Sequence, residues 1–159
     1  MSLEEDIGQF WTLLFQIVAD MEKRLTAHFG RHSLTPPQFY VLKTLAEHGG
    51  SCPIGEIARE HHLTNATMTG LIKRLEGTKL VCRERSTEDR RSVVVQLTEE
   101  GWARFAAVQR DLLEQVGVIL SLLDDQSRHD LITYAARYIE DVVKRFPVSA
   151  LQTNPPLED

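Results

Sequence analysis

The sequence predicts a mainly α fold, a winged helix-turn-helix set between long N- and C-terminal helices. Three observations carry that prediction. Apolar residues recur at helical spacing over most of the chain. Two short helical segments, residues 54–61 and 64–76, are separated only by the turn His62-Leu63. Directly after them, two β-prone stretches, residues 80–85 and 92–97, flank the charged loop 86–91 and read as a hairpin.

The elements follow in order. Ile7, Phe10, Trp11, Leu14, Phe15, Val18, Met21, Leu25 and Phe29 keep the i, i+3, i+4, i+7 spacing of an amphipathic helix of about 25 residues. Ser2 and Glu5 suit a capping box at its start, and Gly30 suits its stop. Thr35-Pro36-Pro37-Gln38 marks a second helix: Thr35 caps, Pro36 occupies the first position where its missing N–H is harmless, and Gln38 completes the box. Its apolar side is Phe39, Val41, Leu42 and Leu45, and Gly49-Gly50 ends it. Ile57 and Ala58 face inward on the next, short helix. Thr64 caps the helix after it, whose inner stripe is Met68, Leu71, Ile72 and Leu75. Beyond the hairpin, Thr98 caps a long helix with Glu99 and Glu100 placed favourably in its first turn. Its stripe is Trp102, Phe105, Val108, Leu112, Val116, Leu120 and Leu123. Asp124-Asp125 breaks it. A last helix carries Leu131, Tyr134, Tyr138, Ile139, Val142 and Phe146 up to Pro147. The expected organisation is a winged domain over 34–100, a helical dimerisation region made of 3–32 and 101–147, and a frayed tail over 148–159.

At 159 residues, with 42% hydrophobic and 26% charged, the chain is in the ordinary globular range, long enough for a core without staples. No apolar run reaches the length of a membrane span, and the acidic start Met1-Ser-Leu-Glu-Glu-Asp is unlike a secretory signal. Two cysteines cannot frame a disulfide scaffold, so a cytoplasmic protein is expected. The net charge of −5 opposes indiscriminate nucleic-acid binding, yet residues 59–91 hold 8 Lys+Arg against 5 Asp+Glu. A basic middle between acidic flanks suits a local anionic partner.

The candidate contact residues lie in that basic middle. A helix-turn-helix places its second helix in the major groove, about 12 Å wide, while the first braces it. With the apolar stripe inward, the helix over 64–76 turns Ala66, Gly70 and Lys73 outward, flanked by Thr67, Thr69 and Arg74. Small residues let the backbone approach base edges, hydroxyls bond bases or phosphates, and Lys73 and Arg74 reach phosphate or guanine. The helix N-terminus at Thr64 and Asn65 favours anions. The same pattern also suits a short surface helix whose small residues pack on a neighbour. The hairpin loop adds Asp89, Arg90 and Arg91: an extended arginine suits a narrow minor groove, and a neighbouring aspartate holds it by a charge-assisted bond.

Leu34-Thr-Pro-Pro-Gln-Phe39, Leu63-Thr-Asn-Ala-Thr-Met-Thr-Gly-Leu-Ile-Lys-Arg-Leu-Glu76, Leu80-Val81, Glu88-Asp-Arg-Arg91 and Leu97-Thr-Glu-Glu-Gly101, in this order and spacing, resemble the MarR (multiple antibiotic resistance regulator) family. The resemblance runs from about Ile7 to Phe146. It implies a homodimer that binds pseudo-palindromic double-stranded DNA, usually a repressor released by a small molecule or an oxidant, with the first and last two helices building the dimer. It assigns residues 64–74 to the recognition helix, Arg91 to the minor groove and Asp89 to orienting it. The chain departs from the family at Lys79, where glycine is frequent, and at Gly70, often a base-reading arginine.

The amphipathic stripes of the first and last helices exceed what one small winged domain covers, which also predicts a homodimer. Trp11, Phe15, Phe29 and Phe39 are candidates to line an effector pocket, although helical aromatic stripes are more often plain core. Cys52 and Cys82 lie away from the start of the first helix, where the family's peroxide sensors carry their thiol. Neither a metal nor a cofactor is expected: Gly30 interrupts the helix between His28 and His32, and the adjacent His61 and His62 point apart. No enzyme motif of the His-Glu-x-x-His, Gly-x-Ser-x-Gly or phosphate-loop kind occurs.

Overall fold

The computed structural model describes residues 2–85 and 92–145. The chain divides into two compact units, Met1–Leu112 and Leu113–Asp159. The first unit holds α1 (Leu3–Arg31), α2 (Pro36–Glu47), β1 (Ser51–Pro53), α3 (Ile54–Glu60), α4 (Asn65–Gly77), β2 (Val81–Arg85), β3 (Val93–Leu97) and the first half of α5 (Glu99–Ser121). The second holds the rest of α5, α6 (Asp125–Tyr138) and a π-helical turn, Ile139–Val143. The mostly helical chain with a small antiparallel sheet is the fold class expected from the sequence.

Helix starts follow the local chemistry. Ser2 N–H donates to Glu5 Oε2 at 2.8 Å and Glu5 N–H to Ser2 Oγ at 3.3 Å, a reciprocal box. Thr35 N–H donates to Gln38 Oε1 at 2.9 Å with Pro36 first in α2. Thr98 Oγ1 accepts from Gly101 N–H at 3.0 Å, and Asp124 Oδ1 from Ser127 N–H at 2.8 Å. Helix ends are less local. Gly30 does not stop α1, which runs to Arg31, and the left-handed residue is Ser33 at φ 58°. The hydrogen bonds from Ser33 N–H to Gly30 O and from Leu34 N–H to Phe29 O hold that turn, so a non-glycine residue adopts it.

The sheet has three strands, not the two of the expected hairpin. Its order is β1-β3-β2, all antiparallel, with Cys52 opposite Val95 and Val81 opposite Leu97. Three residues ending in proline give no strand signal by themselves; β1 exists because β3 has a free edge to offer it. The core of this unit collects Phe29, Phe39, Leu42, Leu45, Ile57, Met68, Ile72, Leu75, Leu80, Val95 and Val108, all buried. Each such side chain contributes about 1.5–3 kcal/mol on leaving water. Phe29 of α1 and Val108 of α5 share this core with α2–α4, so packing continues past residues 34 and 100. Among the described residues no helix is long and apolar enough to cross a membrane.

Candidate nucleic-acid interface

The bend between α3 and α4 is made by backbone bonds. Leu63 N–H donates to Ala58 O at 2.9 Å and His62 N–H to Arg59 O at 3.1 Å, with His62 left-handed at φ 53°. Behind the turn, the His61 imidazole shares a 2.9 Å hydrogen bond with Thr44 Oγ1, and burial holds its pKa below the ordinary value. Thr64 Oγ1 then accepts from Thr67 N–H at 3.2 Å and starts α4.

Met68, Ile72 and Leu75 bury one side of α4, with Leu71 half-buried. That leaves Thr64, Asn65, Ala66, Thr67, Thr69, Gly70, Lys73 and Arg74 exposed together on the other. A Cβ on Gly70 would meet nothing within 4 Å, so packing against a neighbour does not account for this glycine. Three of the hydroxyls are engaged locally: Thr69 Oγ1 donates to Asn65 O at 2.7 Å, and the Thr64 and Thr67 hydroxyls lie 2.9 Å apart. Thr67 and Thr69 therefore present methyl as well as hydroxyl surface.

The wing stem stands beside this helix. Arg83 Nη2 on β2 pairs with Glu76 Oε2 on α4 at 2.7 Å, and Gln96 Nε2 on β3 donates to Glu84 Oε2 at 3.1 Å. Exposed Lys79, Arg83 and Arg85 extend the basic surface begun by Lys73 and Arg74. Lys79, in place of the frequent glycine, is left-handed at φ 60°, so the turn into β2 keeps its shape with a lysine in it. Asp89, Arg90 and Arg91 lie outside the described residues.

The four candidate effector aromatics fall into two separate pairs. Phe29 and Phe39 stack at 4.5 Å between centroids, with Phe105 against Phe39 at 5.9 Å, inside the core. Trp11 and Phe15, 4.6 Å apart, are 62% and 55% exposed on α1. Cys52 is buried and its thiol is pushed up to about 11, by burial first and then by Glu56 and Glu60. One grouping is only half foreshadowed in the sequence, which pairs His28 with His32 but not with Asp111. Because α1 continues through Gly30, His28 and His32 stay on neighbouring turns, and Asp111 of α5 meets them. Seventy-nine residues separate His32 from Asp111, so no local signal announces it.

The MarR family model matches residues 34–93. The organic hydroperoxide resistance transcriptional regulator of Bacillus subtilis (strain 168) is 32% identical over 124 residues, covering 78% of this chain and 80% of that protein. The solved structure of a MarR family protein from Bacillus stearothermophilus superposes with TM-score 0.76 at 25% identity, over 88% of this chain and 96% of that one. A mutant of S. aureus MepR bound to an oligodeoxyribonucleotide shares the fold, with TM-score 0.62 at 21% identity over 82% and 96% of the two chains. The helix-turn-helix with its wing, and these matches along most of the chain, have one meaning: this protein belongs to the MarR family of transcriptional regulators and carries their DNA-binding winged-helix fold.

Proposed function

We propose that the chain is a homodimeric repressor that binds a pseudo-palindromic operator and is released by a small-molecule effector. The observation that carries the DNA contact is the exposed face of α4, with small residues at Ala66 and Gly70 and cations at Lys73 and Arg74. In this reading α4 enters the major groove, Thr67 and Thr69 supply sequence preference, and Arg91, oriented by Asp89, reaches the minor groove beside Arg90. The oligonucleotide in the related MepR structure supports duplex DNA as the partner.

Dimerisation rests on apolar surface that a soluble monomer rarely leaves bare. In the first unit, Ile7, Phe10, Trp11, Phe15, Ile17 and Met21 of α1 are each more than half exposed. In the second, Leu113, Val118, Leu122, Ile132, Tyr134 and Tyr138 are too. An interface made of residues 3–32 and 101–147 from two copies covers both sets and sets two α4 helices about one DNA turn apart. Of the candidate effector aromatics, Trp11 and Phe15 are exposed on the single chain and fall within that interface, so an effector that meets them sits at the dimer seam; Phe29 and Phe39 are reached only by opening the core. Oxidant release through Cys52 fits poorly, because a buried thiol with its pKa pushed up to about 11 carries little thiolate.

The test is a salt-matched titration of wild type and Arg91→Ala against a selected inverted-repeat duplex and a scrambled one, with sedimentation in parallel. Wild type should sediment as a dimer and prefer the inverted repeat. Arg91→Ala should lose about 1–3 kcal/mol per half-site while keeping its major-groove preference. A micromolar monomer, or equal binding to both duplexes at every salt, overturns the reading.

A further inference from the structure

We propose that His28, His32 and Asp111 form a binding site for a divalent transition-metal ion, with Zn²⁺ the best-suited ion. Each residue offers one ligand atom, and the three atoms lie within 4.8 Å of one another. His32 Nε2 is 2.7 Å from Asp111 Oδ2, and the His28 and His32 rings are 5.7 Å apart between centroids. Four-coordinate zinc with bonds of about 2.0–2.2 Å needs ligand atoms roughly 3.4 Å apart. The cluster brackets that spacing, from the 2.7 Å His32–Asp111 contact up to 4.8 Å. Two imidazoles and one carboxylate are also the donor set that nitrogen-preferring, borderline ions select over magnesium or calcium.

A second, independent feature points to a ligand. His28 is 1% exposed, and its Nε2 has no hydrogen-bond partner among the described residues. Its Nδ1 is 2.7 Å from Arg31 Nη2, and a guanidinium only donates, so the ring proton belongs on Nε2. A buried N–H without an acceptor is a costly arrangement that folded proteins generally avoid. An ion bound at Nε2 removes that orphaned N–H by shifting the ring proton to Nδ1, and one bound at Nδ1 leaves it on Nε2; neither releases a net proton, and both require Arg31 to let go of Nδ1. Arg31 is thus a resident cation that competes for the ring. Asp111 and His32 are partly open to solvent, which leaves the fourth position to water. A further cluster among the described residues, His48, Glu56 and Glu60, lies at the surface, where such groupings occur without an ion, and has no orphaned buried group.

The experiment is titration of the chelator-stripped full chain with Zn²⁺ by calorimetry and with Co²⁺ by its ligand-field bands. Variants are His32→Ala, Asp111→Asn, Arg31→Met and His48→Ala, each checked for helicity. One ion per chain with a four-coordinate cobalt spectrum is expected. Affinity should fall at least about tenfold in His32→Ala and Asp111→Asn, rise in Arg31→Met and stay unchanged in His48→Ala. The proposal is overturned by a wild type without four-coordinate cobalt bands, by affinity that His32→Ala and Asp111→Asn leave unchanged, by an Arg31→Met that binds no tighter, or by loss in His48→Ala. The readouts do not involve DNA, so they are independent of the repressor reading.

Discussion

Gly101, in the first turn of α5, sits against the carbonyl of Leu80: a Cβ on Gly101 would stand 2.0 Å from Leu80 O. The same carbonyl accepts from Thr98 N–H at 3.1 Å, and Thr98 Oγ1 donates to Lys79 O at 2.6 Å. One threonine and one glycine therefore fasten the start of β2, the end of β3 and the start of α5 together. The wing is anchored to the long helix at its base, through backbone groups.

Gly101→Ala should be strongly destabilising for this reason. A methyl cannot enter without moving backbone, and overpacking of this kind costs about 1–3 kcal/mol or more. Gly77→Ala, at the end of α4 and outside the proposed dimer interface, meets nothing within 4 Å and should be close to neutral. Urea denaturation of the two variants against wild type checks the contrast. Equal midpoints would show that α5 shifts freely over Leu80.

The strained turn at Lys79 gives a change of opposite sign. A non-glycine residue at φ 60° is disfavoured by about 1–2 kcal/mol. Glycine also loses more entropy on folding, by about 0.5–1 kcal/mol. Lys79→Gly should therefore stabilise by about 0.5–1 kcal/mol, and Lys79→Ala should not. Chemical denaturation at fixed salt separates them, and a Lys79→Gly midpoint no higher than that of Lys79→Ala refutes the strain.

These two positions show what the sequence makes legible. Residues that act on their near neighbours were readable: the Ser2–Glu5 box, Pro36 at a helix start, Thr64 and Thr98 as caps, and the Met68, Ile72 and Leu75 stripe that fixes which face of α4 is exposed. Features completed by a distant segment were not. Cys52 enters a strand only because Val95 lies opposite it, and Asp111 reaches His32 only through the tertiary fold. Ser33, His62 and Lys79 adopt left-handed turns that glycine would have announced. The aromatics misled in the other direction: one helical stripe contains both the buried Phe29 and the exposed Trp11, because neighbours cover only its end.

Gly70 separates stability from recognition. Replacing a mid-helix glycine by alanine over open space should stabilise by about 0.5–1 kcal/mol. The same methyl stands on the face proposed to approach base edges. Gly70→Ala should thus melt higher and bind the operator more weakly, as read by thermal denaturation and fluorescence anisotropy. A variant that melts higher and binds as tightly as wild type places Gly70 outside the groove.

Cys52 sets a pH dependence. Burial, with Glu56 and Glu60 nearby, raises its pKa from 9.0 to about 11. Between those values the unfolded chain gives up the thiol proton and the folded chain keeps it. Stability from this group is fully present below pH 9 and is lost as pH rises toward about 11. Cys52→Ala should flatten that part of the stability profile, measured by urea denaturation from about pH 8 upward. In a Cys82→Ser background, which removes the half-exposed second thiol, native Cys52 should also resist alkylation at neutral pH until the chain is unfolded. An unchanged profile in Cys52→Ala removes the linkage.

The Glu76–Arg83 pair bears on the electrostatics of docking. Arg83 is held at 2.7 Å by a carboxylate that sits on α4 itself, one turn beyond Lys73. A half-exposed pair like this contributes little stability, about 0–1 kcal/mol. Its larger effect is on the surface potential, where Glu76 cancels a cation beside the face of α4 proposed to meet DNA. Glu76→Gln frees Arg83 and removes one negative charge per subunit. Binding should tighten on operator and scrambled duplex alike, and the salt dependence should steepen. Arg74→Ala should do the reverse and lower the log–log salt slope by about one for each phosphate it no longer neutralises. Thr67→Val, which changes no charge, should leave the slope alone and narrow the gap between the two duplexes. Titration of the three variants over a series of salt concentrations decides. If Glu76→Gln leaves both affinities and the slope unchanged, the wing stem does not follow the DNA backbone.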